Sequence, residues 1–264
     1  MSQRLKDTFA RGKAEDRTLF MPYITGGYPE SFETVPLLLA LEAGGADIIE
    51  LGVPFTDPVA DGATIQHANE VAVANGTTFQ DCLEFVHDAR SRGLAAPVLL
   101  MGYYNPVLSY GVERAVADAA TAGADGFIMV DMPPEEAGDF VALCGQHDLS
   151  FVPLIAPTTG DNRMPLATST ADAFLYCVSV TGTTGQRDSL PPELGAFIER
   201  VRASSPLPIA IGFGISRREH VEAVGKLADA AIVGSAIIAA IDAAEPERRA
   251  ERVREYVEGV TGHN

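Results

Sequence analysis

The sequence predicts a closed (β/α) barrel of eight parallel strands in one domain, residues 1–264, and three observations carry that prediction. Four short apolar runs follow an Ala-Asp pair: "ADIIEL" from Ala46, "ADGFIMV" from Ala124, "ADAFLYCV" from Ala171 and "ADAAIVG" from Ala228. Four other runs carry a proline at or near their start: "MPYIT" at Pro22, "PVLLMG" at Pro97, "VPLIA" at Pro153 and "PIAIGFG" at Pro208. The two kinds alternate strictly along the chain, and most gaps between them carry helical patterning. Strands alternating with helices, in four copies of a two-strand unit, close into a barrel.

In chain order, an extra helix precedes the first strand. Proline is tolerated at the first residue of a strand, where its missing N–H costs no ladder bond. Runs this apolar suit parallel strands buried on both faces. The gaps "SFETVPLLLALEAGG", "TFQDCLEFVHDARSRG" and "GVERAVADAATAGA" close on or next to glycine, as helix C-termini often do. Two connections are long, Val53 to about Phe79 after strand two and Val180 to about Pro192 after strand six, and long loops in compact domains often serve as lids. An open doubly wound sheet is the rival; it would open on a G-x-G-x-x-G turn after the first strand, which this chain lacks.

The formal net charge is −17, which argues against sequence-independent nucleic-acid binding. It fits an ordinary acidic cytosolic enzyme or a salt-adapted one. The three cysteines, Cys82, Cys144 and Cys177, show neither a disulfide framework nor zinc spacing. The N-terminal segment carries acids and no apolar core, so no signal or transit peptide is expected, and "AAIVGSAIIAAI" is too short to span a bilayer. A cytoplasmic protein without membrane contact is the expectation.

Barrel active sites lie at the C-terminal ends of the strands. Strand side chains alternate, so Ile49 and Leu51 can pack under the helices and leave Glu50 facing inward at the barrel mouth. The bland reading is a buried ion pair, but no Lys or Arg closes a strand. A carboxyl group without a cation in an apolar mouth has a raised pKa, which suits proton transfer. Asp57 and Asp61 follow in the loop above: turn chemistry competes with function at Asp57, and helix capping competes at Asp61. Asp131, before Pro133 and Pro134, reads as a structural cap of a helix starting there. "GFGIS" from Gly212 and "GSAII" from Gly234 each run from a strand end into a helix, and free N–H groups there make an anion site. No histidine closes a strand, and no H-E-x-x-H, no G-x-S-x-G and no strand-end lysine occurs, so neither metal, serine-nucleophile nor Schiff-base chemistry is expected. What remains is acid–base chemistry on a phosphorylated metabolite.

In order along the chain, "ELGVPFTDPVADG", "MGYYNP", "APTT", "YCVSVTGTTG", "GFGIS" and "GSAI" resemble the tryptophan synthase α subunit family. "NPVLSYG" and "VDMPPEEA" look closer to the α segment of fused fungal-type members. The resemblance implies a (β/α)8 TIM barrel and a cofactor-free, metal-free lyase. Such an enzyme cleaves indole-3-glycerol phosphate to indole and glyceraldehyde 3-phosphate. It implies Glu50 as acid/base and Asp61 as the holder of the indole N–H. It implies Phe20 (or Met21), Leu100, Tyr103 and Tyr176 as pocket walls, and Gly185, Gly214, Gly234 and Ser235 as phosphate ligands. Thr184 would close onto Asp61. Pro54, Asp57 and Asn105 would meet a β subunit in an α2β2-type complex. Val180, where some members carry arginine, and Ala63, where proline is common, are departures that touch loop closure. An α-like subunit serving mainly as an allosteric partner, or another phosphosugar barrel enzyme such as an isomerase or indole-glycerol-phosphate synthase, are the alternatives; the synthase would carry a strand-end lysine, which this chain lacks.

Overall fold

A computed structural model describes residues 1–178, 193–212 and 214–262. Nine parallel strand segments form one sheet: β1 (Leu19–Thr25), β2 (Ile49–Gly52), β3 (Val98–Gly102), β4 (Gly126–Met129), β5 (Ser150–Phe151), β6 (Leu154–Ile155), β7 (Leu175–Val178), β8 (Ile209–Gly212) and β9 (Ala230–Val233). Their order is β5-β4-β3-β2-β1-β9-β8-β7-β6. The two ends of that order are neighbours in sequence, so the sheet closes on itself. β5 and β6 are one barrel strand interrupted at Pro153, which has no N–H to offer. Val152 still donates to Phe127 of β4, and the Pro153 carbonyl still accepts from Tyr176 of β7. The chain is a TIM barrel, as the sequence predicts.

Pro22 sits inside β1 rather than at its start. β1 registers with β9 over Leu19–Pro22 and with β2 from Tyr23 onward, so the proline falls where pairing passes from one neighbour to the other.

Two apolar clusters divide the molecule. Ile49, Leu51, Phe20, Leu100 and Phe127 join the helices in an outer layer. Leu19, Met21, Ile48, Leu99, Ile128, Tyr176 and Ile232 fill the barrel interior. The N-terminal helix, Gln3–Ala14, buries Leu5 and Phe9 in that interior, with the Phe9 and Phe174 rings 5.1 Å apart. It stoppers the N-terminal end of the barrel.

The Ala-Asp repeat is structural. Asp47, Asp125 and Asp229 accept the backbone N–H of Phe20, Val98 and Ile209 respectively, tying the starts of β2, β4 and β9 to the strand that precedes each in the chain. Arg17 braces Asp47 through two bonds of 2.7 Å, and Arg90 braces Asp125 at 2.8 Å. Asp172, the fourth, instead faces the chain's N-terminal ammonium at 3.6 Å.

The connection after β2 contains the expected helix, Ala63–Ala74. Two helices follow β3, Tyr104–Tyr110 and Val112–Ala122, hinged at Gly111 with φ of 99°. The connection after the sixth barrel strand lies outside the described residues. Among the described residues, no helix is long and apolar enough to cross a membrane.

Candidate active site

Glu50 emerges from β2 with its side chain inward, opposite Tyr23 of β1 and Leu99 of β3 in the register. It is 0% exposed, and neither carboxyl oxygen has a hydrogen-bond partner among the described residues. The bland expectation of a buried ion pair therefore fails here. Burial with no compensating charge holds the carboxyl pKa well above the usual range. Burial, and then the nearby Glu50 and Asp61 carboxylates, drives the Tyr176 phenol upward as well. A buried carboxyl with a raised pKa, in a pocket that offers it no cation, suits proton transfer to a substrate.

Asp61 stands in the loop above. It does not cap the following helix, whose N-cap is Gly62. Instead the Tyr103 hydroxyl donates to its Oδ2 at 3.3 Å and accepts the Ala60 N–H at 2.9 Å. Burial pushes the Asp61 pKa up to about 6, and the Tyr103 bond opposes that rise. Tyr103 is held in turn by the Phe55 ring, with centroids 5.1 Å apart, while the Phe55 N–H donates to buried Asn69 at 3.1 Å.

At the end of β9, beside β1, Gly234 is the N-cap of the helix Ser235–Asp242, with no side-chain cap among the described residues. The first-turn N–H groups of such a helix lack intrahelical partners and attract an anion. Gly214, at φ of 32°, borders the helix that follows β8.

The remaining expectations divide. Phe20 and Leu100 belong to the outer layer, so neither walls the interior. Strand alternation puts Met21, Leu99 and Met101 there instead. Tyr23 also faces inward, and nothing in the sequence reading singled it out; counting alternate residues from Glu50 through its register partner is the signal that finds it. Pro54 is buried within the chain and is no surface contact, whereas Asp57 and Asn105 are exposed. Asp131 caps a different helix from the one expected, accepting the Tyr104 N–H at 2.9 Å, and the helix after Pro133 starts only at Gly138. Thr184, Gly185 and Val180 lie outside the described residues. Among the described residues, no group of three or more metal-ligating side chains is present.

Comparison with known proteins follows the same lines. The family model for the tryptophan synthase alpha chain matches residues 9–263. A tryptophan synthase alpha chain of Roseiflexus castenholzii is 49% identical over 259 residues, covering 98% of this chain and 99% of that one. The Saccharomyces cerevisiae tryptophan synthase is 48% identical over 98% of this chain, but the chain spans only 37% of that protein's length. Identity thus leans toward neither the fungal nor the bacterial form. A crystal structure of tryptophan synthase subunit alpha from Legionella pneumophila superposes with a TM-score of 0.91 at 36% identity, covering 99% of this chain and 98% of that one.

Proposed function

We propose, from the premise that this chain belongs to the tryptophan synthase alpha chain family, that its α reaction of tryptophan biosynthesis is a cofactor-free lyase step. The substrate is indole-3-glycerol phosphate, the products are indole and glyceraldehyde 3-phosphate, and the setting is the cytoplasm. The observation that carries this reading is Glu50: a buried, unpaired carboxyl between a loop carboxylate and a glycine-capped helix start.

In this reading the phosphate rests on the N–H groups at Gly234 and Ser235, with Gly214, Gly185 and Thr184 contributing around it. The Tyr103-held Asp61 carboxylate accepts the indole N–H as positive charge develops on the ring. Glu50 gives its proton to indole C3. The proton of the adjacent chain hydroxyl then returns to the Glu50 carboxylate, and the C3–C1′ electron pair stays with the ring. Indole leaves with its aromaticity restored, and the chain leaves as the aldehyde. An anionic acceptor aimed at positive charge that develops only along the reaction supplies the stabilisation.

A β subunit is the partner. Asp57 and Asn105 are exposed on the segments bordering the mouth, and Val59 and Leu108, large apolar side chains on the same segments, are 75% and 57% exposed. Measuring indole release from the purified chain, alone and with a β subunit, tests the reading; no release in either case overturns it.

A further inference from the structure

Tyr23 and Thr25 share the inner face of β1 with Met21. Tyr23 stands opposite Glu50 in the register, but its hydroxyl is not aimed at the carboxyl. It lies 3.1 Å from Thr25 Oγ1, and both residues are buried. The phenol occupies space that only a glycine leaves open: a Cβ at Gly52 would collide with the Tyr23 hydroxyl oxygen. Gly52 follows Glu50 by two residues on the same face, so the hydroxyl pair forms the layer directly above the acid. The root of the same ring reaches the other end of the site, since a Cβ at Gly234 would lie 3.7 Å from Tyr23 Cβ and Cδ1. One side chain therefore spans the distance from the helix start at Gly234 to the layer over Glu50.

A substrate with its phosphate at Gly234 and its ring carbon at Glu50 must lead its three-carbon chain past this pair. Two hydroxyls bonded to each other use one O–H and one lone pair, which leaves an O–H and further lone pairs for a ligand. We propose that the Tyr23–Thr25 hydroxyl pair recognises the chain hydroxyls of the substrate and so selects a glycerol phosphate chain over a deoxygenated one. The inference rests on the functional reading above and goes beyond it in assigning the polyol segment. A buried site that bonds a substrate hydroxyl discriminates against an analogue lacking it, because its own polar groups are then left unmet.

The test uses the whole chain and two ligands, indole-3-glycerol phosphate and indole-3-propanol phosphate; the latter keeps the ring, chain length and phosphate and lacks both chain hydroxyls. Tyr23→Phe keeps the ring and removes the hydroxyl. It should raise KM for the glycerol phosphate about fivefold to thirtyfold, the worth of one or two hydrogen bonds, and leave the inhibition constant of the propanol phosphate unchanged. Thr25→Val, which keeps side-chain shape, should repeat that selective loss and serves if Tyr23→Phe does not fold. Equal weakening of both ligands means that Tyr23 is only a wall, and no change in either means that it is not in contact; each result overturns the proposal alone. A parent chain that neither releases indole nor binds the propanol phosphate overturns the functional reading, and the inference with it.

Discussion

The Tyr103 hydroxyl, just past the end of β3, lies 3.3 Å from Oδ2 of Asp61 in the loop after β2. A side chain from one barrel unit thus fixes a carboxyl carried by another, and the same oxygen accepts the Ala60 N–H at 2.9 Å. The loop that bears Asp61 is pinned on both sides of the carboxyl-bearing residue's peptide.

That bond has a pH consequence. Asp61 acts in the proposed reaction as the ionised acceptor of the indole N–H, and burial raises its pKa to about 6, so kcat/KM should fall as pH drops through that value. The Tyr103 bond lowers this pKa. Tyr103→Phe should therefore move the acid limb toward higher pH, as seen in kcat/KM measured from pH 5 to 9. A limb that stays in place would separate Tyr103 from Asp61 ionisation.

Glu50 has the opposite economy, with activity set against stability. Its folded pKa lies above the unfolded value of about 4.3, so the folded chain holds a proton there that the unfolded chain has released. The sign is then fixed: the contribution of Glu50 to stability is most favourable below the unfolded pKa and declines as pH rises above it. Glu50→Gln should lose about 10²–10⁴-fold in kcat. It should also unfold at a higher temperature than the parent at pH 8, with the two converging near pH 4. Turnover near that of the parent would remove Glu50 from the reaction.

At the other end, a Cβ at Gly234 meets Ile65 Cδ1 at 3.4 Å and Tyr23 Cβ and Cδ1 at 3.7 Å, ordinary contacts, so the protein itself accommodates a side chain there. Gly234→Val should crowd the anion and raise KM for the phosphorylated substrate by roughly 10–100-fold through lost charge-assisted bonds. The melting temperature should move little. An unchanged KM would place the phosphate elsewhere.

For the partner, exposed Asp57 sits four residues before Asp61. A β subunit that orders this loop would place Asp61 at lower cost and raise turnover without adding a catalytic group. Asp57→Ala should weaken activation by the β subunit more than it weakens basal indole release, both read from the same assay with and without partner. Equal activation and equal affinity would leave the loop with a catalytic role only.

The barrel was legible because two punctuation marks, proline and Ala-Asp, alternate with buried runs, and Glu50 because a lone carboxylate interrupts such a run. The pocket walls were not. Every residue of β1 is buried, so Phe20 and Met21 look equally internal in sequence, and the same holds for Leu99 and Leu100. Only parity, anchored on Glu50 and carried across the register, separates the outer layer from the interior, and that is long-range information. Pro54 misled for a local reason, because a proline in a loop is usually at the surface. Asp131 misled for a distant one, since the N–H it satisfies belongs to Tyr104, 27 residues away in sequence.

The carboxylate ties at the base of the barrel make the polypeptide divisible. Phe20 with Asp47, Val98 with Asp125 and Ile209 with Asp229 each lie within one two-strand unit, so a break between units leaves these three backbone ties with both ends on the same piece, while the Arg90 brace on Asp125 crosses a break at Gly93. The exposed turn at Gly93 falls between the first and second units, whereas exposed Ser109 falls inside the second. Two co-expressed pieces separated at Gly93 should reassemble into a chain that releases indole. Pieces separated at Ser109 must rebuild the Val98–Asp125 tie across a gap, and should recombine less well.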